Sequence, residues 1–148
     1  MDLPNLCSLS LLLVYILPFL LYIINHRWIH LIALAGAVGT ASLSEFIKYT
    51  LIKEASPRPK GASNCNLWCN DGKQEGNPGM PSGHSSTVTF FSAFYYQQTT
   101  NPWIRAALVF YALIVMWSRY EKKCHSVNQI VSGSILGLLT SWLLVRMM

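Results

Sequence analysis

Apolar residues along the chain come in long blocks broken by short polar punctuation, with one long polar interruption. The first block runs over about residues 6–24, and it predicts a spanning helix that is kinked or locally opened at Pro18. A secretory signal is the competing assignment for this block. It has no basic start and no clear small-residue cleavage site, which favours a retained span. His26, Arg27 and Trp28 mark a membrane interface. A second helix is predicted over 28–52, with Ala33, Gly36, Ala37 and Gly39 allowing close helix approach. The polar stretch 53–80 follows. A connection of that length without regular structure is functional or disordered more often than it is a plain linker. Three further helices are predicted over 82–98, 102–117 and 127–145. The 82–98 segment is diluted by Ser85, Ser86, Thr87, Thr89 and Ser92, so it should face protein rather than lipid. Pro102 suits a first helical turn. Gly133 and Gly137 form a small-xxx-small pair, expected to serve ordinary close packing.

The expected architecture is an all-α integral-membrane bundle of about five transmembrane helices with one long polar loop, as a single domain over 1–148. Composition agrees. Of 148 residues, 52% are hydrophobic and 11% charged, against roughly 25% charged in an ordinary soluble domain. That balance excludes a disordered chain, a coiled coil and most soluble folds. The net charge of +5 lacks the dense basic run or basic helix face of a nucleic-acid binder. It points instead to anionic lipid or an anionic substrate.

Five spans place the loops 53–80 and 118–126 on one side. That side holds Lys48, Lys53, Arg58, Lys60, Lys73, Arg119, Lys122 and Lys123, whereas Arg27, Arg105 and Arg146 fall on the other. The positive-inside rule would make the first side cytoplasmic, but cations belonging to a site would inflate that count. Orientation, and the choice between endoplasmic reticulum and plasma membrane, stays open. Cys65 and Cys69 could form a local disulfide in an oxidising lumen or remain thiols in cytosol. Zinc is not expected there. Glu45 is expected to pair with Lys48, three residues on, and His26 and His30 to be interfacial. Lys122 and Lys123 are expected to be solvated.

On the charged side three short stretches converge: Ser56-Pro57-Arg58-Pro59, Gly79-Met80-Pro81-Ser82-Gly83-His84-Ser85, and Ser118-Arg119 with His125 six residues beyond the arginine. Arginine forks hold phosphoryl oxygens in two directions. A helix start adds free N–H groups and a favourable dipole. Two histidines can divide nucleophilic attack from proton transfer.

In these stretches the chain resembles the type 2 phosphatidic acid phosphatase superfamily of integral-membrane lipid phosphatases. The family's Pro-Ser-Gly-His stands whole at Pro81 to His84, and Ser118, Arg119 and His125 keep the spacing of its third motif. The resemblance covers about residues 45–137. It implies a metal-independent hydrolase in which His125 is the nucleophile and forms a phosphohistidine. His84 would be the acid and then the base. Arg58, Arg119, Ser82 and Gly83 would hold the phosphoryl oxygens, with Ser118 beside them, and no cofactor is implied.

Two positions depart from the family pattern. Leu51 stands where the first motif has Lys, which leaves Lys48 as the favoured replacement and Lys53 as the alternative; a small insertion around residues 54–56 would put Lys48 in register. Gln129 stands where the third motif has Asp. An amide oxygen can still orient the His125 ring but brings no charge, which suits a better leaving group. The dolichyl-diphosphatase branch is similar in having Gln there, so a polyprenyl diphosphate (dolichyl or undecaprenyl type) is the expected substrate. Rival readings are a catalytically inactive lipid-phosphate binder and a phosphotransferase using the same histidine. The family commonly has six spans, so a second copy completing the lateral wall is a further expectation.

Overall fold

A computed structural model describes residues 2–148 as a helical bundle, with no strand among the described residues. Helix α1 (Leu3–Leu9) continues through a 3-10 turn at Ser10–Leu12 into α2 (Leu13–Asn25), making one rod. Asp2 caps its start by accepting from Asn5 N. The expected disturbance at Pro18 falls elsewhere. Regular winding breaks at Ser10–Leu12, and α2 runs through Pro18, which is buried. His26 adopts a left-handed conformation (φ 50°), ends the rod and turns the chain back into α3 (Trp28–Phe46).

The second predicted helix does not stay α-helical to residue 52. From Ile47 to Ile52 it widens into a π-helical turn, followed by a 3-10 turn at Lys53–Ala55. Such turns absorb extra residues within a helix and recur at functional sites. α4 (Gly83–Gln98), α5 (Pro102–Glu121) and α6 (Val127–Met147) complete the bundle. α5 extends one turn beyond its expected end, because the last turn is tied down by buried Ser118 and Arg119. The connection to α6 is therefore only Lys122–Ser126.

Three of these helices are long and apolar enough to cross a membrane: Leu3–Asn25, Trp28–Ala55 and Val127–Met147. Leu13, Ile16, Phe19, Leu20 and Ile23 on the rod are exposed, as are Val131, Ile135, Leu138 and Leu143 on α6. Outward apolar rows of this kind belong in hydrocarbon. α4 has the opposite character. Its hydroxyl-rich residues Ser85, Ser86, Thr87, Thr89 and Ser92 are buried, because α3, α5 and α6 all pack around it. Val88, Phe90, Phe91 and Phe94 of α4 form the core with Val14, Ala33, Ala37, Ala112 and Val115.

The α4–α6 seam is the tightest. A Cβ at Gly133 would lie 2.5 Å from the Ser82 carbonyl oxygen, and one at Gly137 would lie 2.3 Å from that of Ser86. The glycine pair thus serves packing within the chain. Gly137→Ala must push α6 away from backbone atoms that cannot rotate aside. A loss of about 1–3 kcal/mol is expected from such overpacking, read as a lower unfolding midpoint in detergent. A midpoint matching the parent protein would contradict the seam.

The polar stretch 56–82 is folded onto the end of the bundle. Isolated antiparallel bridges join Pro57 to Pro78 and Ser63 to Lys73. Cys65 is bonded to Cys124, and Cys69 is free, so the cysteine pairing within 65–69 does not form. Lys122, expected to be solvated, instead donates to Asn64 O (2.8 Å) and to Cys69 Sγ (3.0 Å). Two separate links thus hold the loop against the α5–α6 connection.

Candidate active site

The π turn decides which lysine is inside. Lys48 is buried and makes an ion pair with Glu45. Lys53, in a positive-φ conformation (φ 50°), is exposed. Lys48, three residues before the position the family spacing gives, is thus the lysine that lines the cavity, and the π and 3-10 turns lie between it and Arg58.

Lys48, Arg58, Gly83, His84 and His125 line one cavity of about 290 Å³ with Glu45, Asp71 and Gln74. The rest of its wall mixes Leu11, Tyr15, Ala41 and Leu67 with the more polar Tyr49, Cys65, Asn66 and Thr87. The lining thus combines charged groups with apolar side chains. Glu45 sets part of the Lys48 charge against its own, and Asp71 is engaged as acceptor from Cys65 N (2.6 Å). Among the described residues Arg58 makes no salt bridge; it donates to Cys124 O at 3.5 Å.

Arg119 is fully buried behind this cavity. Its guanidinium donates to Ser8 Oγ on α1 and to the Cys65 carbonyl, which hold its fork in place. Arg119 Nε, Arg58 Nε and His84 Nε2 are buried without a protein partner. Orphan polar atoms are costly in a protein interior unless something pairs with them. Two of the three are guanidinium donors; Arg58 lines the cavity, where a polyanion would meet it, and Arg119 does not.

Two residues of the sequence-derived set are turned elsewhere. Ser82 is the N-cap of α4, its hydroxyl accepting from Ser85 N (3.4 Å) and Ser85 Oγ (2.9 Å). Ser118 Oγ donates to Val115 O (2.6 Å) within α5. Neither lines the cavity. Gly83 does, at the first turn of α4, where the amides have no intrahelical acceptor. A Cβ there would approach Glu45 Oε1 to 3.1 Å.

The tautomer of His125 follows from its neighbours. Ser126 caps α6, and its backbone N–H donates to Gln129 Oε1 (3.1 Å) in a capping box. Gln129 Nε2 faces the backbone carbonyls of Ser56 and Pro57, which can only accept, and the Ser56 hydroxyl. The amide orientation is thereby fixed. Oε1 must accept from His125 Nδ1–H, 3.3 Å away. The lone pair then lies on Nε2.

Burial lowers the His125 pKa well below the ordinary imidazole range, and Arg119, Arg58 and Lys48 lower it further; the Gln129 hydrogen bond opposes them. The ring is therefore neutral at neutral pH. Burial likewise lowers Arg58 from its ordinary value. The log of kcat/KM should fall on the acid side only below about 6.5, the ordinary value for histidine. Protonation at Nε2 removes its lone pair, so the loss is on the acid side. An acid limb breaking at or above that value would contradict the burial and the cationic surroundings.

Sequence reasoning missed the parts that tie this site together. Ser8, which anchors Arg119, gives no sequence signal, and neither does the Cys65 carbonyl. Cys124 carries no sequence signal that points to its bond with Cys65.

Residues 28–148 match the PAP2 superfamily, and the chain belongs to that family. Membership supports a phosphatase, and the three long apolar helices suit a membrane protein. No curated protein and no solved structure matches it significantly.

Proposed function

We propose that the protein hydrolyses a polyprenyl diphosphate or a related lipid phosphate through a phosphohistidine on His125. The observation that carries this reading is the single cavity in which Lys48, Arg58, Gly83, His84 and His125 meet from four separate parts of the chain. His125 Nε2 attacks phosphorus as the bond to the leaving oxygen breaks, and His84 gives that oxygen a proton. Water then attacks the phosphohistidine while His84 takes its proton, releasing phosphate and the free imidazole. Arg58, Lys48 and the first amides of α4 hold the equatorial oxygens, whose charge grows in the transition state. The apolar lining residues Leu11, Tyr15, Ala41 and Leu67 offer contacts to the first part of a lipid tail.

A neutral Gln129 supplies orientation to the imidazolium without charge. Diphosphates, whose leaving group is a phosphate monoester, tolerate that loss better than alkyl monophosphates. A panel of dolichyl, undecaprenyl and farnesyl diphosphates against phosphatidate, without added metal, tests the assignment. The diphosphates should be turned over at the higher kcat/KM. Exclusive activity on phosphatidate would overturn the tail and leaving-group assignment, and no phosphate release from any of them would overturn the phosphatase itself.

The Cys65–Cys124 bond also bears on orientation, since such bonds persist in oxidising compartments. It supports a site facing away from the cytosol, against the raw Lys and Arg count. Three of the eight cations on that side, Lys48, Arg58 and Arg119, are engaged in or behind the site. A K73C variant at this exposed loop position should react with an impermeant maleimide from the outside of right-side-out vesicles. Labelling only after permeabilisation would reverse the assignment.

A further inference from the structure

We infer that Gln129 is a two-ended positioning residue, whose amide nitrogen docks the Ser56–Pro57 segment and thereby sets the place of Arg58, while its carbonyl oxygen orients His125. The inference rests on the phosphatase reading of this cavity and adds three residues that reading does not use: Ser56, Pro57 and Gly79.

Gln129 is almost completely buried on the first turn of α6. Its two ends meet different chemistry. Oε1 accepts from Ser126 N and from the His125 ring. Nε2 donates toward Pro57 O (2.9 Å), Ser56 Oγ (3.0 Å) and Ser56 O (3.2 Å). The neighbouring strand of loop closes the same knot. Gly79 N donates to Ser56 O (2.9 Å), and Arg58 N donates to Asn77 O (2.8 Å). A Cβ at Gly79 would lie 2.6 Å from Gln129 Nε2 and 2.8 Å from its Cδ, so the glycine leaves the space in which the amide sits. Arg58 immediately follows the docked pair and lines the cavity that His125 lines.

A carboxylate cannot do this. It would keep both contacts on the Oε1 side and strengthen the one to the His125 ring. On the other side the Ser56 hydroxyl could turn to donate, but the carboxylate would still set an anionic oxygen against two backbone carbonyls, which have no proton to offer. The amide at this position is therefore a requirement of the loop that carries Arg58, not an attenuated form of an acid. Two views of residue 129 then predict opposite signs for one substitution. If it acts only on the imidazole, Gln129→Glu should match or exceed the parent rate, because a carboxylate stabilises the imidazolium better. If it also docks the loop, Gln129→Glu should lose activity.

The test compares the purified parent with Q129E and G79A in detergent. Three quantities are read: kcat/KM on farnesyl diphosphate, the inhibition constant of inorganic phosphate, and the unfolding midpoint. For folded Q129E we expect kcat/KM to fall at least about tenfold, the scale of one lost hydrogen bond to a charged group. Phosphate inhibition should weaken in step, because the displaced Arg58 no longer meets the anion. G79A should reproduce both changes by pressing a methyl group on the same amide, and it decides alone if Q129E does not fold. Parental or higher kcat/KM in Q129E, or loss of rate with phosphate inhibition unchanged in both variants, would overturn the docking role. Phosphate binding to the parent, followed by calorimetry, keeps the question separate from turnover. If no lipid phosphate is hydrolysed, the phosphatase reading fails, while weaker phosphate binding in the variants still supports the docking role.

Discussion

Replacing His125 by alanine should abolish phosphate release, by at least about 10⁴-fold, and leave the fold in place. The size follows from the chemistry. Removing a nucleophile leaves only binding and electrostatic stabilisation, which in triad hydrolases retain a small residue of the rate. Fold retention follows from the structure. The ring is buried and neutral, and it makes one side-chain hydrogen bond, to Gln129 Oε1. That oxygen keeps its second donor, Ser126 N. The expected stability loss is therefore modest, about 1 kcal/mol for the hydrogen bond plus a cavity term. Two measurements check the prediction. Acid-free quenching of the parent with radiolabelled farnesyl diphosphate should leave label on the protein in an acid-labile, alkali-stable linkage, as expected of a phosphorus–nitrogen bond. His125→Ala should carry none. Turnover in His125→Ala above a few per cent of the parent, or label that survives acid, would assign the attack to another group.

How far the sequence reaches can be argued from individual residues. The helices were legible because hydrocarbon imposes one constraint everywhere: apolar side chains outward and backbone satisfied internally. The rod, α3 and α6 meet that constraint in blocks that composition alone reveals. α4 was harder, since its hydroxyls look wrong for a membrane until α3, α5 and α6 are seen around it. The choice between Lys48 and Lys53 could be posed but not closed from spacing. Helical register assumes 3.6 residues per turn, and a π turn at Ile47–Ile52 breaks that assumption without a composition signal. The disulfide was illegible for a different reason. Cys65 and Cys124 are 59 residues apart in sequence, and only the folded loop makes them neighbours. Ser82 and Ser118 show the reverse error, since matching a motif says which residues recur but not where a hydroxyl points. Both turn theirs into local helix structure.

His84 should separate two chemical steps that His125 joins. It sits at the second position of α4 and lines the cavity, with Nε2 buried and without a protein partner. A group so placed can hand a proton to the leaving oxygen and later take one from water. General acid–base catalysis of this kind contributes about 10²–10⁴-fold, and the need for it depends on the leaving group. His84→Asn should therefore lose about 10²-fold or more on an alkyl phosphate. With an aryl phosphate such as p-nitrophenyl phosphate the leaving group needs no proton, so the first step should survive. The second step still needs a base for water. His84→Asn should then release p-nitrophenol in a burst approaching one equivalent and stall as the phosphohistidine, with a slow steady state behind it. Rapid-quench kinetics reads both phases. The burst should vanish in the double variant with His125→Ala, because no nucleophile remains to be phosphorylated. Equal losses on alkyl and aryl substrates with no burst would mean that His84 only holds the phosphoryl group, and the proton would have to come from elsewhere in the cavity.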